Sequence, residues 1–469
     1  MAVLTSARRI YFIGLRGVGM TALAQLLKSR GVEVWGSDTA ETFFTNEVLA
    51  RAGVECLEGF APEHLDRQID AVIRSSAYGP DHVEVQAALA RKLPVLTYAE
   101  ALGELTAEYR GVAVAGSHGK TTTTALLAHV LKSANLSPSA IVGSAVPQFG
   151  GNALVGSGEL LVFEADEYQN KFQYFSPHGI VLTSIEWDHP DFFPTAEEYF
   201  VAFVQFLKKL PPDGFVVACY DSVQVKRAVA EAGLTPEQLV TYGLAEGHLR
   251  MVRMWLDEGR WHFSATEGEE YLGEFWLKLV GSHNVANALA AIACARRLGV
   301  DIEVIRTALA SFEGTARRFE VKGRLMNSVT LVDDYGHHPS EIRATLKAAR
   351  AFYPYKQIRC VFQPHTFSRT KALLGEFGSC FTEADEVVVL DTYTSAREKS
   401  GEVTSAELVT EIQKHHAHVV HKPTIAEASE YLAETANRND LVITMGAGDV
   451  WQVGESLIKR FGLATGSEF

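Results

Sequence analysis

The chain has 469 residues, 47% hydrophobic and 21% charged, with a formal net charge of −14. That length suggests roughly two to four domains with sizeable cores, in the composition of an ordinary soluble protein. The acidic balance argues against a nucleic-acid coat or a polybasic membrane binder, although a local site can still be positive.

The first block, 1–104, opens on the strand "RIYFIG". Gly14, Gly17 and Gly19 then lead into an apolar helix pattern, "GLRGVGMTALAQLL". Glycines let a backbone approach phosphate, and a helix N-terminus favours negative charge. Asp38 ends the next strand, "VEVWGSD", where an acidic side chain often meets a ribose hydroxyl. The spacing is G-x-x-G-x-G, with Arg16 inside it. It fits a tight strand-to-helix turn, a nicotinamide-dinucleotide site or a nucleotide-diphosphate site. "AVIRSS" and "PVLT" read as further strands of a small doubly wound domain.

The second block, 105–315, begins "GVAVAGSHGKTTTT": an apolar strand, a glycine turn, Lys120 and a run of Thr before a helix. The usual phosphate loop, G-x-x-x-x-G-K-S/T, has Gly where this chain has Val114. Gly116 and Gly119 would shape a shorter loop, Lys120 would reach terminal phosphates, and the Thr121 hydroxyl would touch Mg²⁺. "LLVFEADEY" places Glu164, Asp166 and Glu167 at a strand end, hard oxygen donors suited to Mg²⁺ beside phosphate. His189, in "SIEWDHPDFF", is either structural or a metal ligand. Asn284 and Asn287 are three apart and share a helix face, either capping it or meeting an adenine edge or a metal-bound water. Between these lie the strands "GIVLTSIEWD" and "GFVVACY" and an antiparallel-looking meander, "MVRMWL", "RWHFSAT" and "EFWLKL".

The third block, 316–469, carries "LVDDYGHHPSEI", with acids, Tyr335 and a His pair at a strand end. Ligands bind at such ends in α/β sheets. Zinc is conceivable there, but the nearby ligand spacing is poor. "FQPHTFSRT" ends a strand with His365 and Arg369, and Arg369 fits either a two-pronged carboxylate clamp or a salt bridge. "TMGAGDVW" ends the last apolar strand with Gly446 and Gly448. The strand–helix alternation makes the whole chain α/β, with a Rossmann-like N-terminal domain, a central P-loop ATPase-type domain and a C-terminal Rossmann-like domain. The five Cys are scattered without a C-x-x-C pair, which fits a reduced compartment. With no signal-like segment and no apolar run of ~18 residues, the expected location is the cytoplasm.

"GSHGKTTT", "EADE", "DHP", "HNVANALAA", "RRFE", "DDYGHHPSEI", "FQPH", "SRT" and "GAGDV", in this order, resemble the Mur ligases of bacterial peptidoglycan synthesis. Within that family, "DDYGHHPSE" with "FQPH" is most similar to the branch that joins L-alanine to UDP-N-acetylmuramate, and the branch that recycles murein peptides is its close cousin. The resemblance implies an ATP- and Mg²⁺-dependent ligase, monomeric or weakly dimeric, with no nucleic-acid or membrane partner. It makes Gly14, Gly17, Gly19, Asp38, Ser75 and Ser76 contacts of the UDP-sugar. Gly116, Ser117, His118, Gly119, Lys120, Thr121 and Thr122 would hold ATP, with His283, Asn284, Asn287, Arg318 and Asp333 beside it. Thr121, Glu164 and His189 would ligate Mg²⁺. Tyr335, His365 and Arg369 would meet substrate, and His337 is a candidate base.

The chain departs from the alanine-adding pattern at Tyr168 and Gln169, where Ser-Asp is usual, and at Thr366, where Arg is usual. Arg16 replaces a loop Gly, and Ser117 stands where Thr is commoner. Other readings are a ligase for another amino acid or murein peptide, an NAD-dependent oxidoreductase, and a non-catalytic nucleotide-binding regulator.

Overall fold

A computed structural model describes residues 3–394, 398 and 400–464, so the outermost residues of the first and third expected domains lie outside the described residues. Three sheets organise it. The first contains β1 (Arg9–Ile13), β2 (Glu33–Asp38), β3 (Glu55–Glu58), β4 (Ala71–Arg74) and β5 (Val95–Thr97), in the order β3-β2-β1-β4-β5. Every pairing in it is parallel. The order reverses between β1 and β4, so the turn after β1 opens at the switch point where α/β sheets take ligands.

The second sheet contains β6 (Arg110–Ala115), β7 (Ser139–Val146), β8 (Gly151–Leu154), β9 (Leu160–Glu164), β10 (Gly179–Leu182), β11 (Phe215–Cys219), β12 (Leu239–Gly243), β13 (Leu249–Asp257), β14 (Arg260–Glu267) and β15 (Glu270–Leu277). Its order is β15-β14-β13-β12-β11-β10-β6-β9-β7-β8. β6 is central and parallel to β9 and β10. Val112 to Ala115 are fully buried, which explains their continuous apolar run. The meander pairs antiparallel from β13 through β15, as its alternation suggests.

The third sheet contains β16 (Glu320–Arg324), β17 (Thr330–Asp334), β18 (Gln357–Phe362), β19 (Glu386–Val389), β20 (Val419–His421) and β21 (Asp440–Met445), in the order β16-β17-β21-β18-β19-β20. Among the described residues, only β16 is antiparallel to its neighbour in this sheet. Sequence reading finds neither β3 nor β20. Both are short edge strands without a fully buried residue.

The domains share apolar packing. One cluster runs from Leu23 and Leu27 of the first domain to Phe172 and Phe203 of the second. Another core, in the third domain, takes in Trp187 and Trp261 from the second. Among the described residues, no helix is long and apolar enough to cross a membrane.

Candidate active site

The strand ends of all three sheets converge on one cleft of about 1210 Å³. Its floor is the loop between β6 and the helix Lys120–Ser133. Gly116 has φ +134°, and a Cβ there would fall 2.1 Å from Thr183 Oγ1, so only glycine lets the loop lie against the segment after β10. Gly119 has φ +80° and would press a Cβ to 2.5 Å from Asn287 Oδ1. The short loop is thus complete with Val114 buried in the strand before it.

Lys120 folds back over the loop. Its Nζ donates to Glu167 Oε2 at 3.1 Å and to the Gly116 carbonyl. Burial lowers its affinity for the proton, but Glu167 and Asp166 more than offset this, so Lys120 stays charged. Ser117 Oγ donates to the Glu186 carbonyl at 2.7 Å and meets Tyr199 OH at 2.9 Å. Thr122 is buried inside the helix and does not line the cleft.

The expected metal set divides in two. Thr121 Oγ1 donates to Glu164 Oε2 at 3.0 Å, and Glu164 also accepts from Gly143 N. Burial raises the Glu164 pKa above the usual carboxylate value. His189 groups instead with Asp166 and Glu167, one donor atom of each lying within 4.8 Å of the others. Thr121, Glu164, Asp166 and His189 all line the cleft. A hydroxyl, carboxylates and one imidazole suit a hard divalent ion beside phosphate, so the residues present fit Mg²⁺.

On the first-domain side, Gly14, Gly17, Asp38 and Ser75 line the cleft, with Arg16 and Tyr78. Asp38 accepts from Arg16 N at 2.6 Å and from Tyr78 OH at 3.3 Å. Gly19 and Ser76 are not on this wall: Gly19 packs under Tyr98, and Ser76 is exposed. The side chains of Asn284 and Asn287 stand behind the loop. Asn287 accepts from Thr123 Oγ1 at 3.2 Å and donates to Asn284 Oδ1 at 3.1 Å, so these amides buttress the loop rather than line the cleft. Burial pushes the neighbouring His283 down to about 4 and keeps it neutral.

The third domain supplies the roof: Arg318, Asp333, Tyr335, His337, His365, Thr366 and Arg369. Asp333 is tied to Arg317 Nε at 2.9 Å and Thr444 Oγ1 at 2.7 Å. Arg317 also donates to the Gly446 carbonyl at 2.7 Å. Sequence reading missed it beside Arg318, although the doubled Arg of "RRFE" was the available signal. Arg369 is 3% exposed and donates to Asp188 Oδ1 at 2.7 Å and to the His365 carbonyl at 3.0 Å. Its nearest carboxylate therefore belongs to the protein, across the interface between the second and third domains. Burial opposes ionisation of Asp188, yet Arg369, His189 and His337 hold its pKa well below the usual value. Burial takes His337 down to about 4.

The cleft residues His189 (φ 56°), Arg317 (φ 58°) and Thr366 (φ 69°) have left-handed backbones without being glycine, as do the exposed Gln169 (φ 56°) and Asn170 (φ 54°) outside the cleft lining. Such strain persists only where surrounding structure over-determines it, typically at functional sites. The Tyr168 ring lies 4.7 Å from His189, and its hydroxyl donates to Asp191 Oδ2 at 2.7 Å.

Three family models match consecutive stretches: the Mur ligase family catalytic domain over residues 9–110, the Mur ligase middle domain over 114–295, and the Mur ligase glutamate ligase domain over 317–448. The chain is 41% identical over 456 residues to the UDP-N-acetylmuramate–L-alanine ligase of Desulfitobacterium hafniense, covering 96% of this chain and 99% of that one. It is 40% identical over 462 residues to the ligase of the same name from Desulforamulus reducens, covering 97% and 98%. The crystal structure of UDP-N-acetylmuramate–alanine ligase from Thermotoga maritima superposes with a TM-score of 0.80 at 28% identity, covering 96% of this chain and 98% of that one. These matches leave the oxidoreductase reading without support. A phosphate loop at the junction of three α/β domains, matched along nearly its whole length, places this chain in the Mur ligase family.

Proposed function

We propose that the chain is an ATP-dependent amide-bond ligase that joins L-alanine to the lactyl carboxylate of UDP-N-acetylmuramate, working in the cytoplasm on peptidoglycan precursors. The observation that carries this reading is the single cleft shared by the glycine turn of the first domain, the phosphate loop of the second and the Asp333–His337 strand end of the third. The working domains are 1–104 for UDP-sugar, 105–315 for ATP and 316–469 for the amino acid and closure.

A carboxylate is a poor acyl donor. The γ-phosphoryl of ATP therefore passes to a lactyl oxygen, forming a C–O–P linkage as the bond to ADP breaks. The amine then attacks the acyl carbon, and the tetrahedral intermediate expels phosphate. Lys120 exchanges Glu167 for phosphate oxygens, and the first amides of its helix face the same charge. Thr121, Glu164, Asp166, Glu167 and His189 would hold Mg²⁺, which neutralises phosphoryl charge when bound. His337, pushed down to about 4, is too weak a base for an ammonium group, so its role is to orient an amine that enters neutral. The amine proton leaves with the departing phosphate, a base near neutral pH. The roof of the cleft excludes the water that would hydrolyse the acyl phosphate.

The test is phosphate release with ATP, Mg²⁺ and UDP-N-acetylmuramate, offering each amino acid and a murein tripeptide in turn. L-Alanine should give the highest kcat/KM. A preference for another acceptor would move the reading to a sister ligase, with Tyr168, Gln169 and Thr366 the positions to exchange. Lys120→Ala should lower kcat by roughly a hundredfold or more with an unchanged far-UV spectrum. Undiminished turnover would remove the phosphate loop from the mechanism.

A further inference from the structure

A second group of metal-type donors lies beside the phosphate loop. His118 belongs to the loop, Glu186 follows β10, and His338 caps the third-domain helix Pro339–Phe352. One donor atom from each lies within 4.8 Å of the others. His118 Nε2 is 3.4 Å from Glu186 Oε2, and the two imidazole centroids are 4.8 Å apart. Two zinc-type bonds of about 2.1 Å at a tetrahedral angle span about 3.4 Å between donors. His338 is 3% exposed, and its buried Nε2 has no hydrogen-bond partner among the described residues, whereas His118 Nε2 has Glu186 as its ion-pair partner. Buried polar atoms normally find partners, so the one on His338 needs a reason.

The surroundings prepare the donors. His118 Nδ1 is 3.2 Å from Glu341 Oε1, the carboxylate–histidine arrangement that fixes a tautomer and leaves Nε2 to a metal. Ser340 Oγ donates to Glu186 Oε2 at 2.6 Å and orients it. The Glu186 side chain is 45% exposed and gives an ion access from solvent. Two imidazoles with one carboxylate favour borderline ions over Mg²⁺, which prefers oxygen.

We propose that His118, Glu186 and His338 bind a Zn²⁺-class divalent cation at a site separate from Asp166, Glu167 and His189, and that this ion locks the third domain onto the phosphate loop. The ion takes the place of the proton on His118. It also moves the His338 ring proton to Nδ1, releasing the cap bond from Ser340 N. With His118 ligated and the third domain pinned, the cleft exchanges substrates slowly, so the ion acts as a brake. The site does not depend on the ligase reading, whereas the braking does.

Co²⁺ is the probe, added to the full-length chain in millimolar Mg²⁺. The expected result is about one Co²⁺ per chain with a nitrogen-ligated visible band, and affinity lowered roughly tenfold or more in Glu186→Gln and in His338→Asn. Asparagine retains a cap for the helix, and Glu186→Gln decides alone if the His338 variant does not fold. Asp166→Asn should bind Co²⁺ as the wild type does. No band, or a band lost in Asp166→Asn and kept in Glu186→Gln, overturns the site. Micromolar Zn²⁺ should slow turnover of the wild type and be about tenfold less potent on Glu186→Gln. Equal potency overturns the brake while leaving the Co²⁺ result standing.

Discussion

A buried neutral imidazole makes stability depend on pH in one direction. His283 is pushed down to about 4 by burial, with Arg318 adding to the effect. An unfolded chain returns it to about 6.5, so between these values the unfolded state holds more protons. The contribution is therefore complete above the ordinary histidine value and is lost as pH falls through about 4. In His283→Gln the denaturant midpoint should fall less between pH 7.5 and pH 5 than in the wild type. Parallel pH profiles for the two proteins would show that the ring titrates normally. At Gly119, alanine should cost roughly 1–3 kcal/mol of backbone strain, because φ is +80° and the Asn287 amide blocks the Cβ. Calorimetric melting and nucleotide affinity should both report it, and an unshifted melting temperature would contradict the tight loop.

The segment Tyr168–Tyr174 shows how an element carries a site. It is a kinked 3₁₀ stretch, and Phe172 pins it by stacking on Phe206 at 4.1 Å and meeting Phe203 edge-on at 5.2 Å. Both partners lie on the helix Ala196–Leu207. Phe172→Ala should destabilise the protein by roughly 3–5 kcal/mol, and because the segment holds Tyr168 against His189 it should also weaken Mn²⁺ binding. A stability loss without any change in Mn²⁺ affinity would uncouple the segment from the metal group. Among the elements that sequence reading finds are strands with long apolar runs, such as β6 and β9. It passes over β3 and β20, short edge strands without a buried residue, yet finds the equally short edge strand β5 as "PVLT" and passes over the longer β7, so length and burial alone do not decide which strands are legible.

Across the whole molecule, the second and third domains are held together by polar contacts at the cleft. Arg369–Asp188 is buried, Ser340 reaches Glu186, and Ser144 Oγ donates to the Ala316 carbonyl at 2.8 Å. Removing one partner from a buried pair leaves the other uncompensated, which costs roughly 3–5 kcal/mol. Asp188→Asn should therefore loosen the third domain, seen as a larger radius of gyration in X-ray scattering and faster proteolysis near residue 315. An unchanged radius and cleavage rate would show that apolar packing alone holds the domains.

The sequence by itself determined the parts that depend on local order. A strand, two spaced glycines, Lys120 and Thr121 specify a phosphate loop wherever the rest of the chain goes, because every group needed is within a few residues. The same holds for the α/β alternation and for the order of motifs that marks the family. What the tertiary structure decided is pairing over distance. It divided Glu164 from His189, gave Arg369 to Asp188, turned Asn284 and Asn287 into supports, and set His118 against residues 68 and 220 positions away. Only folding fixes these pairs, because a charge or an imidazole is recognised by whatever carboxylate the three sheets bring within about 4 Å of it, and the spacing along the chain carries no record of that distance.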